Sequence, residues 1–201
     1  MKKIYILGSG QFANFTYHLL KDIKHFNFSG YIVKEQIKKK FFYSEDFFLK
    51  QKNKIIFPAI GNLSLRFKVI KKIIKSKNTI PNIIHPTATI NKSAKYKSIM
   101  ATYNSFISND VVIGDFSVIG TGSYIHHDTK IGQNCLIGGG THIGAGVKVG
   151  NNVLFGIGSN VASKKIKIGN NAVIASGASI LQDVPSNYLA IGNPAKLIRL
   201  K

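Results

Sequence analysis

A pair of histidines followed by an aspartate interrupts a series of glycine-rich turns near the middle of the chain. The segment reads Ile125-His126-His127-Asp128, and His126 stands where most neighbouring repeats carry glycine. An imidazole accepts a proton near neutral pH, and a carboxylate beside it fixes its tautomer and stabilises the imidazolium. We therefore predict a general base here, oriented by Asp128 or Asp110, with Asp128 preferred. A solvent-exposed turn histidine without a chemical role is the competing interpretation.

A glycine-rich turn near the start of the chain has the composition of a phosphate-binding loop. Residues 8–13 read Gly-Ser-Gly-Gln-Phe-Ala, between a short apolar run and a helical pattern. Backbone N–H groups at the start of a helix bind phosphate, so the turn predicts a phosphate-bearing ligand. An NAD site would need a longer parallel sheet than residues 1–80 provide. A turn with only a structural role is the alternative.

The elements that must position these residues follow from a six-residue repeat in the C-terminal half. Large apolar residues recur every sixth position from Ile113, with one seven-residue step. The series is Ile113, Ile119, Ile125, Ile131, Ile137, Ile143, Val149, Phe155, Val161, Ile168, Ile174 and Ile180. A small residue usually follows, which marks a repeated turn, and a period of six suits neither a helix nor an ordinary strand. We predict a three-sided parallel β-helix with one or two further coils upstream, and a segment at 186–201 that caps or leaves the coil.

Residues 18 positions apart should lie one coil apart in such a β-helix, about 4.8 Å along its axis. One column then contains Asn109, His127, Ala145 and Ser163. The backbone N–H near Ala145 is therefore predicted to donate to an oxyanion held beside His127, as acyl transfer requires.

The single cysteine and the remaining histidine of this half support no second kind of site. Cys135 occupies the small inward position of its repeat, so we predict a packing role and not an acyl-carrying nucleophile. His142 falls in a different column from His126 and His127. Three zinc ligands therefore do not converge, and no metal is predicted.

Residues 1–81 alternate short apolar runs with helical patterns. We predict strands and helices in the order strand 3–7, helix 11–24, strand 28–33, strand 54–60 and helix 64–75. This order indicates a small open parallel sheet. The predicted fold is therefore an α/β domain over 1–81, which binds substrate, followed by an all-β domain over 82–201, which carries the chemistry.

Charge and composition limit the classes of partner. The chain carries a net charge of +20, and residues 1–100 hold 20 Lys or Arg against 4 acids. Arginine, whose fork reads bases and phosphates, is scarce, so we predict an anionic small substrate and no nucleic acid.

No apolar run reaches the roughly 18 residues of a membrane span, so no membrane insertion is predicted. One cysteine excludes an internal disulfide framework, and we expect a cytoplasmic protein.

Segments along nearly the whole chain resemble the NeuD/PglD-like sugar O- and N-acetyltransferases, which are hexapeptide-repeat acyltransferases. These segments are Lys3-Ile4-Tyr5-Ile6-Leu7-Gly8-Ser9-Gly10, Ala59-Ile60-Gly61-Asn62, Asn82-Ile83-Ile84-His85, Ile125-His126-His127-Asp128 and Gly192-Asn193-Pro194-Ala195-Lys196. The last of them is highly specific to hexapeptide acyltransferases. The resemblance implies a small Rossmann-like N-terminal domain, a left-handed parallel β-helix and a homotrimer.

The resemblance also implies roles for individual residues. His127 matches the family's general base, and Asp128 matches the acid that raises its basicity. The implied contacts are Ser9, Gly10 and Gln11 for a nucleotide-sugar substrate, and Ala145, Ile157 and Ser176 for acetyl-CoA in a groove between subunits. Three positions differ from the residues found in close relatives, namely Gln11, Lys34-Glu35 and Leu136. These differences bear on which nucleotide and which sugar the protein binds.

We predict acetyl transfer from acetyl-CoA to the amino group of a nucleotide-linked amino sugar, for glycan biosynthesis. A phosphate-binding turn in the basic half of the chain suits a diphosphate better than a free sugar acid. Lys34 and Glu35, at the end of the second strand, are predicted to tune which sugar is accepted. The alternatives are O-acetylation of a sialic-acid-like sugar, and a sugar-binding scaffold without catalysis.

Overall fold

A computed structural model describes residues 1–34, 41–163 and 165–200 of the chain. The chain divides into two compact units, Met1–Pro81 and Asn82–Lys201. Within the described residues, no helix is both long and apolar enough to cross a membrane.

The first unit is a four-stranded parallel sheet with helices between its strands. Its elements are β1 (Lys2–Leu7), α1 (Gln11–Lys21), β2 (Phe26–Val33), β3 (Phe42–Ser44), α2 (Glu45–Leu49), β4 (Ile55–Pro58) and α3 (Leu63–Lys75). The strand order is β3-β2-β1-β4, so the order reverses between β1 and β4. In open sheets of this kind, ligands bind outside the carboxyl ends of the strands at such a reversal.

Two short elements of this unit were not predicted from the sequence. Strand β3 has three residues and no alternating pattern, and it pairs with β2 through Tyr31 and Phe42. Helix α2 has five residues and begins where Ser44 Oγ accepts a hydrogen bond from Phe47 N at 3.3 Å. Helix α1 ends at Lys21, three residues earlier than predicted, because the chain turns there to bury Ile23.

The second unit is built almost entirely of two-residue strands. They are β5 (Ile83–Ile84), β6 (Thr89–Ile90), β7 (Lys95–Tyr96), β8 (Met100–Ala101), β9 (Phe106–Ile107), β10 (Val112–Ile113), β11 (Val118–Ile119), β12 (Tyr124–Ile125), β13 (Lys130–Ile131), β14 (Leu136–Ile137), β15 (His142–Ile143), β16 (Lys148–Val149), β17 (Leu154–Phe155), β18 (Asn160–Val161), β19 (Lys167–Ile168), β20 (Val173–Ile174), β21 (Ser179–Ile180), β22 (Tyr188–Ile191) and β23 (Lys196–Arg199). From β5 to β21, every third strand joins the same parallel sheet, which gives the β-helix three faces.

We call the face that begins with β5 face 1, the face that begins with β6 face 2, and the face that begins with β7 face 3. The second residue of most strands points into the tube and is buried, whereas the first points outward. The chain therefore turns three corners in each coil, and residues 18 apart stack on one another, as in the pairing of Ile125 with Ile143.

Backbone stacking explains the small residue that follows most of the inward apolar side chains. A Cβ atom on Gly132 would lie 2.5 Å from the Gly150 carbonyl oxygen, and one on Gly138 would lie 2.7 Å from the Phe155 oxygen. Hydroxyl and thiol groups at the small inward position also donate across the coil. Ser123 Oγ, for example, donates to Gly138 O at 2.8 Å.

The C-terminal segment differs in part from the prediction that it caps or leaves the coil. Strand β22 continues face 1 in parallel register, and its Ala190 is fully buried like the inward residues before it. Only β23 reverses direction and pairs antiparallel with β22. The segment therefore adds one more strand to the stack before it caps it.

Candidate active site

His127 and Asp128 form a hydrogen-bonded pair on the surface of the β-helix. His127 Nδ1 lies 2.7 Å from Asp128 Oδ2. An ionised carboxylate only accepts hydrogen bonds, so we assign the imidazole proton to Nδ1, which leaves a lone pair on Nε2. The two side chains are 53% and 63% exposed. Nε2 is therefore available as a base to a molecule bound at this surface.

The local turn brings these neighbouring side chains together. Strand β12 ends at Ile125 and β13 begins at Lys130, so the pair lies on the corner between face 2 and face 3. Asp128 has a left-handed backbone with φ of 59°, which asparagine and aspartate tolerate better than most residues. Asp110, the other acid considered, accepts a hydrogen bond from Asn109 Nδ2 at 2.9 Å. The residue in contact with His127 is Asp128.

A groove beside this pair contains the backbone turn that was expected to hold an oxyanion. Its lining residues are His127, Asp128, Ala145, Gly146, Ser163 and Lys165. Ala145 N donates to Ser163 Oγ at 3.0 Å, and Gly146 N donates to His127 O at 3.0 Å. Both amides already have partners within the chain. The predicted contact between an oxyanion and a backbone N–H near Ala145 stays a prediction.

The other two residues assigned to acetyl-CoA lie on a different corner. Ile157 and Ser176 are both exposed between face 1 and face 2, and Ile157 is 71% exposed. They stack one coil apart, since Gly177 N donates to Ile157 O at 2.9 Å. Within one chain, face 2 separates them from Ala145. Their role in a groove between subunits stays a prediction.

The glycine-rich turn of the first unit is exposed at the carboxyl end of β1. Ser9, Gly10 and Gln11 are all exposed, and α1 begins at Gln11 without a side-chain cap from Gly10. The helices α2 and α3, by contrast, are capped by Ser44 and Asn62. The start of α1 therefore has no side-chain cap from its N-cap residue, and uncapped helix starts of this kind can bind phosphate.

Gly8 allows this turn to pass close to the neighbouring strand end. It has a φ of 126°, and a Cβ atom there would lie 2.7 Å from the Ala59 carbonyl oxygen. Ala59 N in turn donates to Leu7 O at 2.9 Å, directly after β4. A larger residue at position 8 would push the turn away from the strand reversal.

Lys34 lies on the same edge of the sheet as this turn. It is exposed and follows β2 directly, and Gly8 N donates to Ile32 O at 2.9 Å between the two strand ends. Glu35, the other residue predicted to tune the sugar, lies outside the described residues.

A row of stacked aromatic rings lies beside the candidate site and was not predicted from the sequence. On face 2, the Tyr124 ring stacks on Phe106 at 4.3 Å and on His142 at 5.7 Å between centroids. His126 lies 5.2 Å from Tyr124 and packs against it. The 18-residue spacing of Phe106, Tyr124 and His142 puts the three rings in one column and could have predicted their stacking. Among the described residues, no three His, Cys, Asp or Glu side chains are grouped so that they could hold a metal ion.

Cys135 lies inside the tube. It is fully buried, and its Sγ donates to Gly150 O at 3.2 Å. A thiol in this position does not meet a ligand on the surface.

Comparisons with known protein families and proteins support the six-residue repeat. The family "Bacterial transferase hexapeptide (six repeats)" matches residues 128–163, and "Hexapeptide repeat of succinyl-transferase" matches residues 146–182. Serine acetyltransferase 2 from Arabidopsis thaliana is 54% identical over 35 residues, and serine acetyltransferase 4 is 58% identical over 33. These matches span only 11% and 9% of the two relatives' own length.

Solved structures match both units of the chain. PerB from Caulobacter crescentus, in complex with CoA and GDP-perosamine, is 25% identical over 98% of each chain, with a TM-score of 0.90. The acetyltransferase domain of PglB from Neisseria gonorrhoeae is 19% identical over 98% of this chain and 100% of its own, with a TM-score of 0.87. At 19% identity, the similarity to PglB shows a shared fold only.

The predicted fold class, a small Rossmann-like parallel-sheet domain followed by a left-handed parallel β-helix of hexapeptide repeats, is confirmed. The resemblance to the NeuD/PglD-like sugar acetyltransferases is confirmed as well. The chain thus carries hexapeptide repeats of the kind found in bacterial transferases, and its fold is similar to that of hexapeptide-repeat sugar acetyltransferases.

Proposed function

We propose that the protein transfers an acetyl group from acetyl-CoA to the amino group of a nucleotide-linked amino sugar. The observation that carries this proposal is the His127–Asp128 pair, 2.7 Å apart beside an open groove. It occurs in a chain whose fold matches that of PerB, solved with CoA and GDP-perosamine. The imidazole supplies a base, and the groove lies directly beside it.

The chemistry is a direct transfer. The amine nitrogen of the sugar attacks the thioester carbonyl carbon and forms the new C–N bond, while His127 Nε2 takes the proton that the nitrogen loses. Asp128 accepts the hydrogen bond from Nδ1 and stabilises the imidazolium. The C–S bond then breaks, CoA leaves as the thiolate, and the imidazolium returns a proton to it. No group on the protein becomes acetylated.

The exposed turn of the first unit is the proposed nucleotide site. Ser9, Gly10 and Gln11 surround the uncapped start of α1, where a diphosphate gains hydrogen bonds and a favourable helix dipole. Lys34 adds a positive charge on the same sheet edge and, with Glu35, selects the sugar. Ala145, Ile157 and Ser176 contact acetyl-CoA in this proposal.

A homotrimer completes the proposal because the three faces of the β-helix differ in chemistry. The outward residues of face 1 include Leu136, Leu154 and Val173, and those of face 3 include Lys95, Lys130, Lys148 and Lys167. A continuous apolar stripe favours contact with another subunit, whereas a lysine ladder favours solvent. In a trimer, exposed Ile157, on the edge of face 1, is then covered by a neighbour.

Thermal-shift measurements test the substrate class. UDP, GDP and dTDP would be compared with sialic-acid-like sugars, each with and without CoA, because a ligand that binds only the folded protein raises its melting temperature. At least one nucleotide should stabilise the protein, and Lys34→Ala should weaken that effect. Lys2→Ala removes the same charge at the opposite end of β1 and should not. Stabilisation by the free sugar acids alone would favour the O-acetyltransferase alternative.

A further inference from the structure

The Ser163 hydroxyl occupies the place in the groove that was expected to hold an oxyanion. Ser163 is exposed, and its Oγ accepts the Ala145 N–H at 3.0 Å. A serine hydroxyl also carries one proton that it can donate. Within the described part of the chain, this oxygen makes no other hydrogen bond. The proton therefore remains available to a molecule in the groove.

A similar contact at another corner shows that bracing a turn does not require a hydroxyl. On the corner between face 3 and face 1, Gln133 N donates to Asn151 Oδ1 at 2.9 Å, and Asn151 N donates to Asn170 Oδ1 at 2.7 Å. Those acceptors are amide oxygens with no proton of their own to give. At the corner that contains His127, the accepting atom is Ser163 Oγ, and this hydroxyl can also donate a hydrogen bond.

The one seven-residue step of the repeat falls in the turn that contains Ser163. Residues 162–166 join β18 to β19, whereas four residues, 144–147, join β15 to β16 in the coil before. Ser163 keeps its register with Ala145, because Ile143 pairs with Val161. Lys165, with φ of 55°, takes the left-handed position that Gly146 has in the previous coil. The turn is thus longer where it lines the groove.

We propose that Ser163 is a catalytic residue whose hydroxyl donates to the carbonyl oxygen of the bound thioester, and that the Ala145 amide holds this hydroxyl in place. The inference rests on the proposed acetyl transfer. As the nitrogen attacks, negative charge develops on the carbonyl oxygen and the Ser163 hydrogen bond strengthens, while the proton stays on Ser163. The Ala145 N–H polarises the hydroxyl and makes it a better donor.

Steady-state kinetics of three variants test this role. Loss of one oxyanion donor lowers turnover by roughly 10² to 10³, so Ser163→Ala should reduce kcat by that order with little change in the KM for acetyl-CoA. Ser163→Thr keeps a hydroxyl and should restore most of kcat. Asn151→Ala removes the bracing bond at the other corner and should leave kcat unchanged. A Ser163→Ala variant with the same kcat as the parent would overturn the inference. The Ala145 amide, which this substitution leaves without its Ser163 partner, would then be a sufficient donor to the carbonyl oxygen.

A binding measurement separates failure of this inference from failure of the proposed function. Calorimetry would compare an acetonyl-CoA analogue, which has a carbonyl oxygen, with propyl-CoA, which lacks it. One hydrogen bond corresponds to a preference of about 3- to 10-fold, and Ser163→Ala should abolish it. A preference that persists in this variant overturns the role of Ser163, and so does a parent protein that binds the two analogues equally well. A parent protein that binds neither analogue overturns the proposed function. A parent that shows the preference yet acetylates no nucleotide-linked amine overturns the acceptor and not Ser163.

Discussion

The carboxylate of Asp128 lies 2.7 Å from Nδ1 of His127, its immediate neighbour in the chain. Side chains of adjacent residues in extended backbone point to opposite sides. Here the left-handed φ of 59° at Asp128 turns its side chain back toward the imidazole. A tight β-helix corner thus supplies both members of an acid–base pair from one dipeptide.

Replacement of the base should affect turnover more than binding. His127→Ala should lower kcat by roughly 10² to 10⁴, with acetyl-CoA affinity nearly unchanged, as measured by initial rates and calorimetry. His126→Ala should lose less, because His126 packs against Tyr124 and does not contact Asp128. Equal losses in the two variants would show that the role of base is misassigned.

The two aspartates of this corner should differ in their effect on rate. Asp128→Asn replaces an acceptor that holds the Nδ1 proton with a group that can also donate, which favours the wrong tautomer, so kcat should fall about 10-fold or more. Asp110→Asn leaves the His127 contact intact and should stay within about twofold of the parent. A larger loss for Asp110→Asn would identify Asp110 as the orienting acid.

Much of the fold follows from sequence because the hexapeptide period fixes both register and burial. The inward series from Ile113 to Ile180 is buried as predicted, since a β-helix offers each repeat the same environment. Elements without a period were missed, such as three-residue β3, whose pairing with β2 depends on tertiary context.

The candidate site could be predicted only in outline. Column arithmetic placed Ser163 beside Ala145 and His127, but it did not reveal that the hydroxyl takes the Ala145 amide, because side-chain direction depends on the turn. The choice between Asp128 and Asp110 required the hydrogen-bond partners, because both residues have a left-handed backbone but only Asp128 contacts His127.

Cys135 should contribute packing and one weak hydrogen bond, not chemistry. Its thiol donates to Gly150 O just as the Ser117 hydroxyl donates to Gly132 O one coil earlier. Cys135→Ser should therefore remain close to the parent in stability, whereas Cys135→Ala should lose about 1 kcal/mol, as measured by urea unfolding. Both variants should acetylate at a near-normal rate. An acetylated Cys135 in intact-protein mass spectrometry would contradict direct transfer.

Disruption of the apolar stripe on face 1 should dissociate the trimer. Leu154→Lys introduces a charge on this half-buried stripe, whereas Val112→Lys extends the lysine ladder on exposed face 3. Light scattering should give three subunits for the parent and for Val112→Lys, and a smaller species for Leu154→Lys. A parent protein that is monomeric at micromolar concentration would contradict the trimer.

The acceptor group is the central claim, and direct product analysis tests it best. Purified protein, acetyl-CoA and a panel of UDP-, GDP- and dTDP-linked amino sugars would be compared with free sialic-acid-like sugars, with CoA release followed continuously and products identified by tandem mass spectrometry. We predict that one nucleotide-linked amine gains a single N-acetyl group far more efficiently than any free sugar, and that His127→Ala abolishes most of this product. Equal or better O-acetylation of the free sugars would contradict the account.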